Sequence, residues 1–473
     1  MLSSSASSNI KAGKTRHLKP VDVAPTATRQ TSGSLVFLPL LFYAFFFQVL
    51  PRPKVWLGAC LAISSCSLVG HFVSRRRFLD RRLGGELTWL AFLACFLLSS
   101  FGYGTANMTL AVLYVCLIVG MFIVAGETGW IDGCLKAIVL FAAFHAACTI
   151  LFWLFPVLYP PVKQLFFAGN YMAYGYKSGL TNHYSTNAMY LSIGFVCSAC
   201  RLLADKGKAH AGARLVLLSI GFALLLTTKR GPLIAAIAGV VMVYMLVSNK
   251  RFVASLLKLA LALVAASLAL YAISRVVPGI AATIARLFAM LSDDTMGGRQ
   301  GLYEHALLLF GENPVFGSGW GTYQKTFAST SLGAMYARLG FTSMSAHNVY
   351  LQLLAETGVV GLGLFLLAVV TTFACGCKTA IDLLHQDEYN LAGAQTSSVG
   401  VQAFFLVYCI SGNPLYDLQC YIPYFMACCI TFALAARLGD LKYEECGKLG
   451  GTDVAVPTTG VGVGRGRRWN QRV

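Results

Sequence analysis

The chain has 473 residues, 57% of them hydrophobic and 12% charged, with a formal net charge of +18. A soluble domain carries roughly 25% charged residues, so this composition excludes an ordinary soluble enzyme. The apolar residues come in blocks long enough to cross about 30 Å of hydrocarbon, which points to an all-α, polytopic integral membrane protein, whereas a barrel would show short alternating segments.

Taken in chain order, residues 1–33 are polar and basic and read as a disordered cytoplasmic arm. No convincing small-residue cleavage site follows the first apolar run, so that run reads as a retained anchor. About twelve spans are expected, near 34–50, 55–73, 86–103, 107–125, 133–157, 186–203, 213–228, 232–248, 252–276, 348–373, 397–411 and 419–436. Together they make a transmembrane domain over 34–436, followed by a basic tail, 437–473.

Arg75, Arg76, Arg77, Arg81 and Arg82 mark one turn, Lys206, Lys208 and Arg214 a second, and Lys250 and Arg251 a third. When the spans alternate, these turns and both termini fall on one side, which the positive-inside rule makes cytoplasmic. Most of the net charge is then topology. The basic tail fits anionic lipid, or nothing specific, rather than nucleic acid. The 15 cysteines lie almost all in spans or at cytoplasmic ends, so they read as small buried apolar residues and not as a disulfide or zinc framework.

Two outer segments, 158–185 and 277–347, are long enough to hold a site. In the second, 280–291 and 300–310 show helical spacing of apolar residues, giving a long, partly helical loop before a late span. Asn313-Pro314-Val315-Phe316-Gly317-Ser318-Gly319-Trp320-Gly321 then breaks helix. Glycines so spaced let a backbone approach a ligand closely, or make a tight surface connection.

Lys229-Arg230 falls on the outer side, where loops tend to lack cations. Arg299 opens the 300–310 segment on the same side. An arginine offers a planar fork of donors that matches phosphate oxygens; the alternative is a snorkelling residue that meets lipid phosphates. Ser345 is a fitting N-cap for the span beginning at Asn348, which places His347 in its first turn. There a helix N-terminus disfavours imidazolium and leaves a neutral base, unless the histidine only anchors the helix. Glu356 lies about 13 Å into the span, a depth at which a carboxylate faces a partner or a wet cavity.

Five motifs occur in order: Ser178-Gly179-Leu180-Thr181-Asn182-His183-Tyr184-Ser185-Thr186-Asn187, Thr228-Lys229-Arg230-Gly231-Pro232, Gly298-Arg299-Gln300-Gly301-Leu302-Tyr303, the Asn313–Gly321 run, and Ala346-His347-Asn348-Val349-Tyr350-Leu351-Gln352 followed by Ala355-Glu356-Thr357-Gly358. The set resembles the O-antigen ligase and O-antigen polymerase superfamily of bacterial envelope glycosyltransferases, over about 178–375.

The resemblance implies a multispan enzyme of the bacterial cytoplasmic membrane, with its active face extracytoplasmic and with neither cofactor nor metal. The donor would be a glycan on undecaprenyl diphosphate and the acceptor a glycan or glycolipid. By the resemblance, His347, Arg299 and Arg230 are catalytic. Lys229, Arg230, Arg299, Tyr303, Asn348, Asn182 and His183 are expected to bind diphosphate or glycan. The motifs do not separate ligase from polymerase. From another class, a transporter or flippase of lipid-linked glycans is the competing reading; it predicts polar groups near the midplane and two related halves.

Overall fold

The computed structural model describes residues 30–74, 85–102, 107–125, 127–167, 174–205, 210–248, 297–338, 344–386 and 388–449, with isolated positions at 104 and between 261 and 275. Regular structure among them is helical throughout. Helices α1 (Gln30–Phe46), α2 (Pro53–Ser74), α3 (Glu86–Gly102), α4 (Met108–Ile123) and α5 (Ile131–Leu154) follow one another, and the short α6 (Tyr159–Phe167) precedes α7 (Tyr184–Ala204), α8 (Ala211–Leu226) and α9 (Arg230–Val247). After them come three shorter helices, α10 (Gly297–Glu312), α11 (Thr322–Ala328) and α12 (Ser331–Arg338). The chain ends in α13 (Val349–His385), α14 (Tyr389–Tyr408) and α15 (Leu418–Leu449).

Stretches long and apolar enough to span a bilayer lie in α2, α5, α7, α9, α13 and α15, while α1, α3, α4 and α8 carry shorter apolar helices. The expected first eight spans coincide with α1–α5 and α7–α9. The expected ninth span, 252–276, lies outside the continuously described residues, as do the 280–291 segment and the termini 1–29 and 450–473.

Three boundaries differ most from expectation: α13 runs past 373, to His385. α15 runs past 436, to Leu449. α14 starts at Tyr389 rather than 397 because its polar residues hide it from a hydropathy reading: Gln395, Thr396, Ser397, Ser398 and Gln402 are all buried. They bind neighbouring helices instead of water. Ser397 donates to Cys197 O at 3.0 Å, Thr396 to Cys200 O at 3.1 Å and Ser398 to Ala427 O at 2.6 Å. Small residues bring the same helices close, since a Cβ on Gly239 of α9 would lie 2.7 Å from Gly400 O of α14. Polar side chains and small residues are what hold helices together where lipid removes the hydrophobic drive.

The inner helices are α7 and α15, with 78% and 89% of their apolar stretches buried, against 22% for α2. α7 packs on α5, α8, α9 and α14, and α13 packs on α3, α10, α14 and α15. At one end of the bundle Asp132 of α5 meets Arg201 of α7 at 2.7 Å. At the other end gather the starts of α7, α9, α13 and α15 and the ends of α8 and α14.

α13 has 37 residues, about 55 Å of helix, and it is broken at Gly358, where φ is 64° and ψ −166°. The Asn313–Gly321 run docks into that break. Ser318 N–H donates to Ala355 O at 3.0 Å and Gly319 N–H to Glu356 O at 2.9 Å, while Val359 N–H donates to Pro314 O at 2.9 Å and Val360 N–H to Val315 O at 3.2 Å. The glycines therefore let backbone approach backbone: a Cβ on Gly317 would lie 2.3 Å from Glu356 C. The close approach that these glycines permit is to the backbone of α13.

Candidate functional site

The site end of the bundle is organised by the turn 409–417 between α14 and α15. Ser411 O accepts Arg299 Nη1 at 3.1 Å. Arg230 opens α9 beside the same residue, since a Cβ on its neighbour Gly231 would lie 3.2 Å from Ser411 Oγ. Lys229, the N-cap residue of α9, places its ammonium 4.3 Å from the centre of the Tyr184 ring. Chain segments far apart in sequence thus bring three cations to one place.

His347 lies among them. Its imidazole is half-buried, and burial, then the charges of Arg299 and Lys229, push its pKa down to about 4. The expected cap of the helix needs correction. Ser345 is not the N-cap of α13: its Oγ accepts Gln324 Nε2 at 2.9 Å. Asn348 caps the helix, with Oδ1 accepting Leu351 N–H at 3.1 Å, so His347 stands before the first turn. Burial and two neighbouring cations hold its pKa down, and the N-terminus of α13, immediately after it, acts in the same direction.

The backbone of His347 has φ 52°, a left-handed conformation that L residues adopt at a cost. It is pinned on both sides. Ala346 N–H donates to Gln352 Oε1 at 3.2 Å and Val349 N–H to Cys409 O at 2.9 Å. Thr228, just before Lys229, has φ 57°, an outlier for a β-branched residue. Conformations of this kind cost about 1–3 kcal/mol each and persist where the surroundings over-determine them. Two of them at one cluster mark it as built.

Glu356, left without a role by the sequence, is the post that holds this frame. It is fully buried. Its carboxylate accepts Tyr416 Oη–H at 2.7 Å, Gln352 Nε2 at 3.3 Å and Tyr323 N–H at 3.3 Å. It therefore ties α13 to α11 and to the 409–417 turn. Trp320 is buried beside it and stacks on Tyr416 with ring centroids 4.8 Å apart.

The other expected ligands fall as follows. Asn182 is exposed, and its N–H donates to Gln48 Oε1 at 2.8 Å. His183 caps α7, with Nδ1 accepting Ser185 N–H at 3.0 Å, which leaves Nε2 for other partners. Its ring lies against Tyr174 and Tyr184. Tyr303, one turn after Arg299, packs in an apolar cluster of the loop with Leu302, Tyr323 and Phe327. The cluster proper joins Lys229, Arg230, Arg299 and His347. The sequence reading passed over Ser411, Asn413, Tyr416 and Asp417; the signal available was a polar turn, Ser411-Gly412-Asn413-Pro414, between two apolar runs.

One consequence is measurable in pH. Burial, then Lys229, also lowers the His183 pKa to about 4. An unfolded histidine titrates near 6.5, so between about 6.5 and 4 the unfolded chain binds protons that the folded one does not. Stability from these groups is complete above about 6.5 and is lost as pH falls toward 4. Burial raises the Asp417 carboxyl to about 7, which acts in the opposite sense over an overlapping window. A difference measurement removes that term: thermal unfolding from pH 4.5 to 7 should show a smaller loss on acidification for His347→Asn than for the wild type. Parallel curves would contradict the assignment.

Residues 215–366 match the family model of the O-antigen ligases. The match begins in α8, takes in Lys229, Arg230, Arg299 and His347, and ends in α13 beyond the Gly358 break. The superfamily resemblance drawn from the motifs is thus shown for this region. No curated protein matches the chain.

Proposed function

We propose, on the premise of an O-antigen ligase domain at 215–366, that the chain transfers a glycan from undecaprenyl diphosphate to a hydroxyl of a glycan or glycolipid. The reaction takes place on the extracytoplasmic side of the bacterial cytoplasmic membrane, toward which the site end of the bundle faces. The family match supports a membrane enzyme of the ligase or polymerase kind. The observation that carries the finer reading is His347, its pKa lowered by burial and by Arg299 and Lys229, with Arg230 next to the Gly231 that approaches Ser411.

The acceptor hydroxyl attacks the anomeric carbon of the donor sugar from the face opposite the diphosphate. His347 takes the hydroxyl proton as the new C–O bond forms. The bond from the anomeric carbon to the diphosphate oxygen breaks, and the electron pair leaves with the diphosphate. The developing charge is met by Arg299 and Arg230, whose forks suit phosphate oxygens, and by the Lys229 ammonium. Attack opposite the leaving group inverts the anomeric centre.

The test is reconstitution in liposomes with a labelled undecaprenyl-diphosphate glycan and a glycan acceptor. Transfer yields a longer or newly attached glycan and one undecaprenyl diphosphate per event. Glycan that only changes leaflet, with its diphosphate bond intact, would replace this reading with transport.

A further inference from the structure

The short helix α6 is amphipathic in the wrong sense for a helix in water. α5 starts at the end of the bundle where Asp132 meets Arg201, so the residues that follow it lie at the site end. With 24 residues, α5 is about 36 Å long and crosses the hydrocarbon by itself. Phe155, at φ −127° and ψ 75°, ends it. α6 has nine residues, about 13 Å of helix, and cannot cross.

Tyr159 and Lys163 stand one turn apart on the buried face of α6. Lys163 Nζ donates to Thr181 O and lies 4.5 Å from the centre of the Phe167 ring and 5.4 Å from that of Tyr159. The hydroxyls of Tyr159 and Ser178 share a hydrogen bond at 3.2 Å. The ammonium and the phenol thus point into the protein, where they tie α6 to the segment that leads to His183. Pro161 and Leu165, also one turn apart, occupy the opposite face and are exposed, Leu165 by 79%. Phe166 flanks them and is exposed as well. A helix that faces water carries its apolar stripe inward and its charge outward; α6 does the reverse.

The neighbouring span shows what covers this face. Leu140, Phe144, Leu151 and Leu154 are exposed along α5, a helix long and apolar enough to span the bilayer. From Leu154 the exposed surface continues through Phe155, Pro156, Val157 and Leu158 with no polar residue between. The lipid that covers α5 is therefore continuous with whatever covers α6. Gln164, exposed beside Leu165, suits the level of the headgroups rather than the hydrocarbon centre.

We infer that α6 docks on the lipid surface at the site end of the bundle, with Pro161, Leu165 and Phe166 inserted at the boundary of headgroups and acyl chains and with Lys163 turned inward. The inference goes beyond the transfer chemistry and does not depend on it, so its failure would leave that reading intact.

The experiment places a spin label at Leu165 or at Val157 of the full chain, through a keto amino acid that avoids the cysteines, in liposomes of phosphatidylethanolamine and phosphatidylglycerol. A label at Leu140 gives the reference within the span. Relaxation by oxygen, which concentrates in lipid, against relaxation by a nickel chelate, which stays in water, reads the depth. Both labels should be relaxed more by oxygen than by the chelate and should lie about 5–10 Å below the headgroups, shallower than the label at Leu140. Labels as open to the chelate as free label in buffer would put the face in water and overturn the inference. A depth equal to that at Leu140 would overturn the interfacial placement. Protection from both agents, or spin–spin broadening that vanishes on dilution with unlabelled chain, would put protein on this face, a second copy in the latter case, and overturn it as well. Two exposed positions are labelled so that loss of folding at one leaves the other to decide.

Discussion

His347→Asn is expected to lower glycan transfer by about 10²–10⁴, the usual worth of a positioned general base, while the protein accumulates normally and at pH 7 melts as the wild type does. Asparagine is the informative choice. The backbone at 347 is left-handed, with φ 52°, and asparagine tolerates that region better than alanine. His347→Ala would mix loss of the base with backbone strain. Arg299→Ala should cost about 10²–10³, the effect of removing one donor aimed at developing charge, and Arg299→Lys should recover only part of it because a point charge replaces a fork.

Arg299 spends one donor on Ser411 O, so its remaining N–H groups are oriented rather than free to rotate. The double variant should be hardly worse than the poorer single one, since both groups serve one transition state. Transfer assays in liposomes, normalised to folded protein, decide the matter. Activity within threefold of the wild type in His347→Asn would end the assignment of the base.

Gly358→Ala is expected to destabilise the protein strongly. At φ 64°, ψ −166° the backbone is in a region that is essentially glycine-only. A Cβ there would also lie 2.3 Å from Val315 O and 2.7 Å from Gly317 N. Both strands of the contact are backbone, so neither can swing aside. The expected cost is roughly 3 kcal/mol or more, from conformational strain and overpacking together.

The consequence reaches the site. Without the dock, the 313–321 run releases Trp320 from Tyr416 and withdraws the Tyr323 N–H from Glu356, so the turn carrying Ser411 and Asn413 loses its brace. Gly311→Ala is the matched control: it lies within α10 with nothing near its Cβ, and should gain about 0.5–1 kcal/mol. Thermal unfolding in detergent measures both, and limited proteolysis across 313–338 reports the dock. A Gly358→Ala protein that melts with the wild type and resists cleavage would refute the docking account.

Much of the bundle was legible in the sequence because a bilayer imposes a local rule. Every span must be an apolar helix of fixed length, so runs such as 133–157 and 232–248 show themselves without knowledge of their neighbours. The cations Lys229, Arg230 and Arg299 and the imidazole of His347 were legible for a related reason: a charged or ionisable residue at the edge of an apolar run stands out locally. α14 was mistaken in length because its polar residues obey a partner rather than the solvent. Gln395 and Ser398 bond to Gly376, Ala427 and Thr431, contacts that no window along the chain contains.

The sequence by itself determined most of the helices, the candidate site side chains by motif, and the helix-breaking, glycine-rich character of the 313–321 run. Only the tertiary structure decided what those glycines approach, that Asn348 rather than Ser345 caps α13, and that the Ser411–Asp417 turn is the platform on which Arg299 rests. The physical reason is range. Hydropathy and helix capping act over a few residues, whereas the direction of a hydrogen bond such as Asn413 to Gln352, and the charge felt by His347, depend on groups brought together from distant parts of the chain.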